Sequence, residues 1–172
     1  MLVEWDPESG STLADVTAAG FASDFVLSED AVHTLQAFSS WHSGPVEVVN
    51  APANLNLGAL ADLLADLTVS ADLELSSIEL ESQCGTCGMS YWHLRGAARR
   101  ALTSDEIGCR ISGDIPRRDL GIVVRRRVLD TSEIFKVEQF PAWTLVTDSV
   151  RDAMTEAGLS GVRFFEVGST ID

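Results

Sequence analysis

Short runs of regularly spaced hydrophobic residues, separated by glycine and serine, recur along the chain. The first clear run places Val32, Leu35 and Phe38 three residues apart. Ser28 precedes it, and serine is favoured at helix N-caps because its hydroxyl accepts a backbone N–H of the first turn. The pattern therefore predicts a short amphipathic helix over 29–38.

A second run near the end of the chain has the same character. Thr147 is a suitable N-cap, and Val150, Met154 and Ala157 follow at helical spacing. Gly158 then fits the position just after a helix, where glycine is common. We expect a helix from Thr147 to Gly158 with those three apolar side chains facing the core.

Within the segment 55–67, the leucines at 57, 60, 64 and 67 follow one another three or four residues apart. Their spacing predicts a helix with one apolar stripe. Asp62 and Asp66, four residues apart, would share a solvent-facing polar side of that helix.

Segments rich in β-branched and alternating apolar residues predict strands over 45–49, 73–80, 121–129, 134–138 and 162–167. The mixture of strands and short helices indicates an α+β fold with a mixed or antiparallel sheet. At 172 residues, the chain fits a single domain spanning 1–172.

Charge is distributed very unevenly between the two halves of the chain. The net charge is −14. Residues 1–83 contain fourteen acidic residues and no lysine or arginine, whereas residues 84–172 contain twelve acidic and twelve basic residues, so the first half carries the whole net charge. An acidic surface argues against nucleic acid as a partner, because phosphate binding needs basic side chains. It favours a basic partner protein, since opposite fields steer association, although acidic residues also serve solubility.

The acidic residues most suited to meet such a partner follow one another in the middle of the chain. They are Asp62, Asp66, Asp72, Glu74, Glu79 and Glu81.

The motif most suggestive of chemistry is Cys84-Gly85-Thr86-Cys87-Gly88. In a zinc knuckle, two cysteines separated by two residues bind one metal from a tight turn, and the following glycine lets backbone amides approach the sulfurs. Cys109-Arg110-Ile111-Ser112-Gly113 repeats the template with serine at the fourth position. We therefore expect a cysteine-containing knuckle insert over 82–116.

The candidate zinc ligands are Cys84, Cys87 and Cys109. Ser112 is a poor replacement for a fourth cysteine, because a hydroxyl is hard and normally protonated. His93 is the alternative fourth ligand, and a site that has lost its metal and kept its thiols is equally consistent with the residues. Redox catalysis is disfavoured, since the residues after Cys87 prefer strand or turn rather than the helix of a thioredoxin-like dithiol.

Several functional classes are disfavoured by the sequence. It contains no nucleophile elbow, phosphate-binding loop or HExxH motif, so we expect a protein that is not an enzyme. Its first residues have neither the basic nor the apolar region of a signal peptide, and no segment is apolar enough to span a bilayer. Cytoplasmic residence without membrane contact is the expectation.

Taken together, Cys84–Gly88 and Cys109–Gly113 resemble the double-CXXCG family known from myxobacteria. The segment 143–167, WTLVTDSVRDAMTEAGLSGVRFFEV, is similar to that family's closing helix and strand. The resemblance implies an immunity protein that binds and neutralises one cognate toxin, and Ser112 departs from the family pattern at the metal site. The alternative is a zinc-knuckle adaptor or regulatory module that binds another protein.

Overall fold

The computed structural model describes residues 1–4, 13–18, 25–52, 57–95, 121–164 and 166–172, with the backbone alone for 2–4. Residues 96–116 of the predicted insert, with Cys109 and Ser112, lie outside the described residues, as does Phe165.

Within these ranges the helices are α1 Glu29–Leu35, α2 Arg126–Leu129 and α3 Asp148–Glu156. The strands are β1 Leu2–Glu4, β2 Val16–Ala18, β3 Phe25–Leu27, β4 Trp41–His42, β5 Glu47–Val49, β6 Ala61–Asp62, β7 Leu64–Ala65, β8 Thr68–Val69, β9 Ile78–Gln83, β10 Ser90–Leu94, β11 Ile122–Arg125, β12 Ile134–Val137, β13 Phe140–Val146 and β14 Gly168–Ile171.

The predicted α+β class is confirmed, with short helices among small sheets. Strands β1 and β5 pair in parallel, as do β11 and β14, whereas β2, β3 and β6 form an antiparallel sheet. The chain divides into two compact units: Met1–Leu67, Thr131–Lys136 and Ala142–Val162 form unit 1; Thr68–Asp130, Val137–Pro141 and Arg163–Asp172 form unit 2. A single domain over 1–172 stays a prediction.

Helix α1 of unit 1 begins where its local sequence predicts. The Ser28 hydroxyl accepts the backbone N–H of Ala31 at 3.2 Å, and Glu29 and Asp30 occupy the first turn. Ala31 and Leu35 are its buried residues, and α1 packs against α3. The helix ends three residues before the predicted Phe38.

Helix α3 also begins at its predicted cap, Thr147, but the Thr147 side chain makes no capping hydrogen bond and contacts the Ser149 hydroxyl instead. Val150 and Met154 are buried as predicted. The prediction for Ala157 is wrong, because Ala157 is the residue that ends the helix and its side chain is exposed.

Asp15, just before β2, joins three segments of unit 1. Its carboxylate accepts the Ser28 hydroxyl at 2.9 Å, and the Ser160 N–H and hydroxyl at 2.9 and 2.7 Å. The Ser160 hydroxyl and N–H, followed by the Ser28 hydroxyl, lower the pKa of Asp15 below its ordinary value of 3.8 and outweigh partial desolvation. One carboxylate thus ties the start of α1 to the loop after α3.

Replacing Asp15 with asparagine should lower the free energy of unfolding near neutral pH by about 1–2 kcal/mol, since an amide cannot accept all of these hydrogen bonds. The carboxylate's contribution is present above pH about 4 and is lost as the pH falls through the lowered folded-state pKa. The free energy of unfolding, measured with urea at a series of acidic pH values, should therefore fall less steeply with decreasing pH for Asp15→Asn than for the wild type. Asp152→Asn, at an exposed ion pair with Arg151, is the control and should leave the pH dependence of the unfolding free energy unchanged. The same pH dependence of the unfolding free energy in the wild type and in Asp15→Asn would contradict this role of Asp15.

The predicted helix over 55–67 is wrong: within 57–67 the chain forms β6 and β7. Asp62 lies opposite Val26 of β3, and Leu64 lies opposite His42 of β4. Pairing with strands distant in sequence decides the conformation of this short leucine-rich segment, whose periodicity alone does not distinguish strand from helix.

The core of unit 2 gathers around β11, which pairs with β14. Its buried apolar residues are Val69, Ala71, Ile78, Leu94, Ile122, Val123, Val124, Leu129, Val137 and Phe140. The predicted strand over 121–129 is correct only for Ile122–Arg125, since Arg126–Leu129 turn into α2. The closing strand begins at Gly168, later than the predicted 162–167.

The predicted strand over 134–138 is confirmed as β12, which pairs with β13. Residues 134–136 and 142–146 belong to unit 1, and the connecting residues 137–141 belong to unit 2. Within unit 2, the Glu138 N–H donates to the Val69 carbonyl of β8 at 2.9 Å. No helix in the described ranges is long and apolar enough to cross a membrane.

Candidate functional site

The cysteine motif forms the turn of an antiparallel hairpin made by β9 and β10. We call residues 78–94, the two strands with this turn, the arm. The Cys84 N–H donates to the Met89 carbonyl at 2.8 Å, and the Gly88 N–H donates to the Cys84 carbonyl at 2.9 Å. Gly88 has a φ of 73°, a left-handed conformation that glycine adopts without strain. The glycine of the motif therefore closes the turn.

The Cys84 sulfur lies inside this turn and accepts backbone hydrogen bonds. The N–H groups of Cys87 and Thr86 are the main causes that lower the pKa of the Cys84 thiol, aided by the Cys87 side chain and opposed by desolvation. Both thiols are free, with Cys84 half-buried and Cys87 exposed. Two adjacent sulfurs, one stabilised as thiolate by amides, suit a soft metal such as zinc.

Within the described part of the chain, no further predicted zinc ligand joins these two sulfurs in a metal site. Cys109 lies outside it, so the three-cysteine set stays a prediction. His93 lies on β10, where its Nε2 contacts the Glu79 carboxylate and its Nδ1 is 3.8 Å from Glu81. Among the described residues, no group of three or more His, Cys, Asp and Glu side chains is arranged to hold a metal ion.

Of the predicted partner-binding acids, Asp62 and Asp66 belong to unit 1. Asp62 was expected to face solvent, but it is only 9% exposed. Its carboxylate accepts the Gly44 N–H, and a Cβ on Gly44 would lie 2.9 Å from its Oδ1. Asp62 is therefore committed to holding the backbone at residue 44. Asp66 contacts the His42 ring and remains exposed.

Asp72 also has a structural role, within unit 2. Its Oδ1 accepts the N–H groups of Glu74 and Leu75, both at 3.2 Å. Its Oδ2 receives the Arg125 guanidinium at 2.6 and 2.8 Å. Although desolvation opposes it, the Arg125 hydrogen bond and the turn N–H groups hold the pKa of Asp72 below its ordinary value. Asp72 thus fixes the turn before the arm, while Glu74 is exposed.

Glu79 and Glu81 lie together on one face of the arm. Glu79 is opposite His93, and Arg95, just beyond β10, is 3.8 Å from the Glu79 carboxylate. Tyr91 pairs with Ser82 and Trp92 pairs with Leu80, which leaves Glu81 as the extra residue of a β-bulge. Both carboxylates are exposed, so they are the pair from the predicted set that the structure brings together on an accessible surface.

The opposite face of the arm is apolar, a feature that the sequence interpretation missed. Ile78 and Leu94 are opposite one another at the base and are buried, and Leu80 and Trp92 continue the same face outward. Leu80 is 49% exposed on this face. Met89 lies at the turn just before β10 and is 51% exposed, and the alternation along β10 places it with Tyr91 and His93 rather than with Trp92. The alternation of Ile78, Leu80 and Ser82 with Glu79 and Glu81 was the available signal, since alternating residues of a strand point to opposite faces.

No protein-family model and no curated protein matches this chain.

Proposed function

We propose that this chain is an immunity protein that binds a cognate bacterial toxin in the cytoplasm and neutralises it without catalysis. The observation that supports this best is the arm, which exposes Glu79 and Glu81 on one face, Leu80 on the other, and Met89 at its turn. Exposed apolar side chains bordered by charged ones are typical of protein–protein interaction sites. The CxxCG turn at its end is the motif on which the resemblance to double-CXXCG immunity proteins rests.

The charge of the protein supports a basic toxin as the partner. A net charge of −14, confined to residues 1–83, creates a negative field that speeds encounter with a positively charged protein. A nucleic-acid-cleaving toxin domain would present such a surface, because it must bind phosphates. The same field opposes binding of this chain to nucleic acid itself.

The test is co-expression with the product of the adjacent gene. Cells that express this product alone should stop growing, and cells that also express the wild-type chain should recover. Pull-down of the adjacent gene product by the purified chain should accompany recovery. An adjacent gene product that is harmless, or toxicity that the chain does not relieve, would contradict the immunity function.

The second candidate function is a zinc-knuckle adaptor or regulatory module, favoured by the amide-stabilised Cys84 sulfur beside a free Cys87. Cys84 and Cys87 would hold zinc together with Cys109, and His93 is the candidate for the fourth position. Bound zinc would supply a cross-link between the arm and a later part of the chain. Elemental analysis of protein purified without chelator distinguishes this role: about one zinc per chain, lost in Cys84→Ser, together with no relief of toxicity, would favour the adaptor.

A further inference from the structure

The arm extends beyond the apolar core of unit 2. At its base, Ile78 and Leu94 are buried at 3% and 4% exposure. Beyond Ile78, every residue of β9 is exposed, although successive side chains of a strand point to opposite faces. Among the described residues, both faces of the outer arm are therefore open, and β9 and β10 form a two-stranded sheet.

The two faces differ in chemistry because of the strand register. Leu80 and Trp92 share one face, which continues outward from the buried Ile78–Leu94 pair. Glu79, Glu81 and His93 share the other, where His93 contacts the Glu79 carboxylate. Ion pairs at exposed positions contribute little to folding stability, so these carboxylates remain available to a partner.

We propose that the arm is the surface through which the protein binds its basic partner, with Leu80 and Met89 as apolar anchors and Glu79 and Glu81 as steering charges. This proposal rests on the proposed function and assigns its binding site. A few side chains that become fully buried at the centre of an interface supply most of its binding energy, whereas charges at the edge mainly accelerate association.

The charge of the chain identifies the kind of occupant. A second copy would bring another net charge of −14 to the same surface, so self-association through the acidic face is opposed by repulsion. Nucleic acid would be repelled in the same way. A basic protein with an apolar patch complements the exposed carboxylates and the exposed apolar side chains of the arm. It is the occupant that we assign to the arm.

The experiment measures association and dissociation rates with the purified, catalytically inactivated product of the adjacent gene. Leu80→Ser/Met89→Ser should raise the dissociation rate by about tenfold or more, the change expected for loss of a central apolar anchor. Glu79→Gln/Glu81→Gln should lower the association rate severalfold at low salt, and the difference should vanish as ionic strength passes about 0.15 M, where the Debye length is about 8 Å.

Matched controls place the same chemical changes elsewhere. Leu64→Ser alters a leucine of β7 in unit 1 that is 39% exposed, and should leave dissociation unchanged. Glu138→Gln/Glu156→Gln makes the same change in net charge at two exposed sites outside the arm, and should slow association less than the arm pair does. Circular dichroism and urea unfolding establish that all variants retain the wild-type fold.

Two failures can be told apart. If the wild-type chain neither binds nor protects, the proposed function is overturned and the assignment of the arm with it. If the wild-type chain binds and protects, and the arm variants match their controls in both rates, only the arm is overturned as the binding surface. A second-copy complex that forms through the arm more tightly than the complex with the basic protein would also overturn it.

Discussion

Replacing Gly161 with alanine is expected to lower the free energy of unfolding by about 3 kcal/mol or more. Its φ is 78°, and an added Cβ would collide with the Val16 carbonyl oxygen and the Ala14 Cβ, and would lie 3.3 Å from the Val16 carbonyl carbon. The Val16 backbone cannot withdraw freely, because its N–H donates to the Ser160 carbonyl at 3.1 Å and β2 pairs with β3. Backbone strain and overpacking therefore add.

Gly158→Ala is the matched control for this variant. Gly158 has a similar φ of 69°, but a Cβ there would meet nothing within 4 Å. It should cost about 1–2 kcal/mol, the penalty of a left-handed conformation alone. Urea unfolding of both variants measures the difference. Equal losses would show that the close approach of Gly161 to β2 is not a constraint on the fold.

Met154→Ala is expected to destabilise the protein by about 2–5 kcal/mol, because truncating a buried side chain loses its transfer free energy and leaves a cavity. Met154 is 5% exposed on the inner face of α3, one turn after the fully buried Val150. Helix α3 packs against α1, so we expect a cavity at this position to weaken the contact between these two helices.

Thr155→Ala serves as the control on the same helix. Thr155 is exposed, and its hydroxyl donates only to the Arg151 carbonyl one turn earlier. Because alanine has the higher helix propensity, this change should cost less than about 0.5 kcal/mol. Urea unfolding midpoints with unchanged slopes give both values. A loss below about 0.5 kcal/mol for Met154→Ala would show that α3 presents a different face to the core.

The cysteine turn shows how much of the candidate site could be predicted. The CxxCG spacing correctly indicated a tight turn with amides directed at a sulfur, because such a turn involves neighbouring residues only. The two faces of the arm could not be assigned in the same way. Leu80 was expected in a strand, but whether a strand residue is covered depends on neighbours that sequence periodicity does not identify.

For the acidic residues too, the sequence predicted one property, the net charge, and the tertiary structure decided another, which carboxylates are accessible. Their identity established the net charge of −14 and with it the expectation of a basic partner. Their spacing alone did not distinguish Asp62, which holds the Gly44 N–H, or Asp72, which pairs with Arg125, from the accessible Glu79 and Glu81. A carboxylate's partner can lie anywhere in the chain, so its availability depends on the tertiary structure.

The sequence by itself determined the features that depend on residues within one turn of each other. Ser28 caps α1 through Ala31, three residues away, and Val150 and Met154 share the buried side of α3. Only the tertiary structure decided that 61–62 and 64–65 form strands, because their partners are β3 and β4, and that Asp15 joins α1 to Ser160. Capping and helical periodicity act over one turn, whereas strand pairing and burial depend on segments that folding alone brings together.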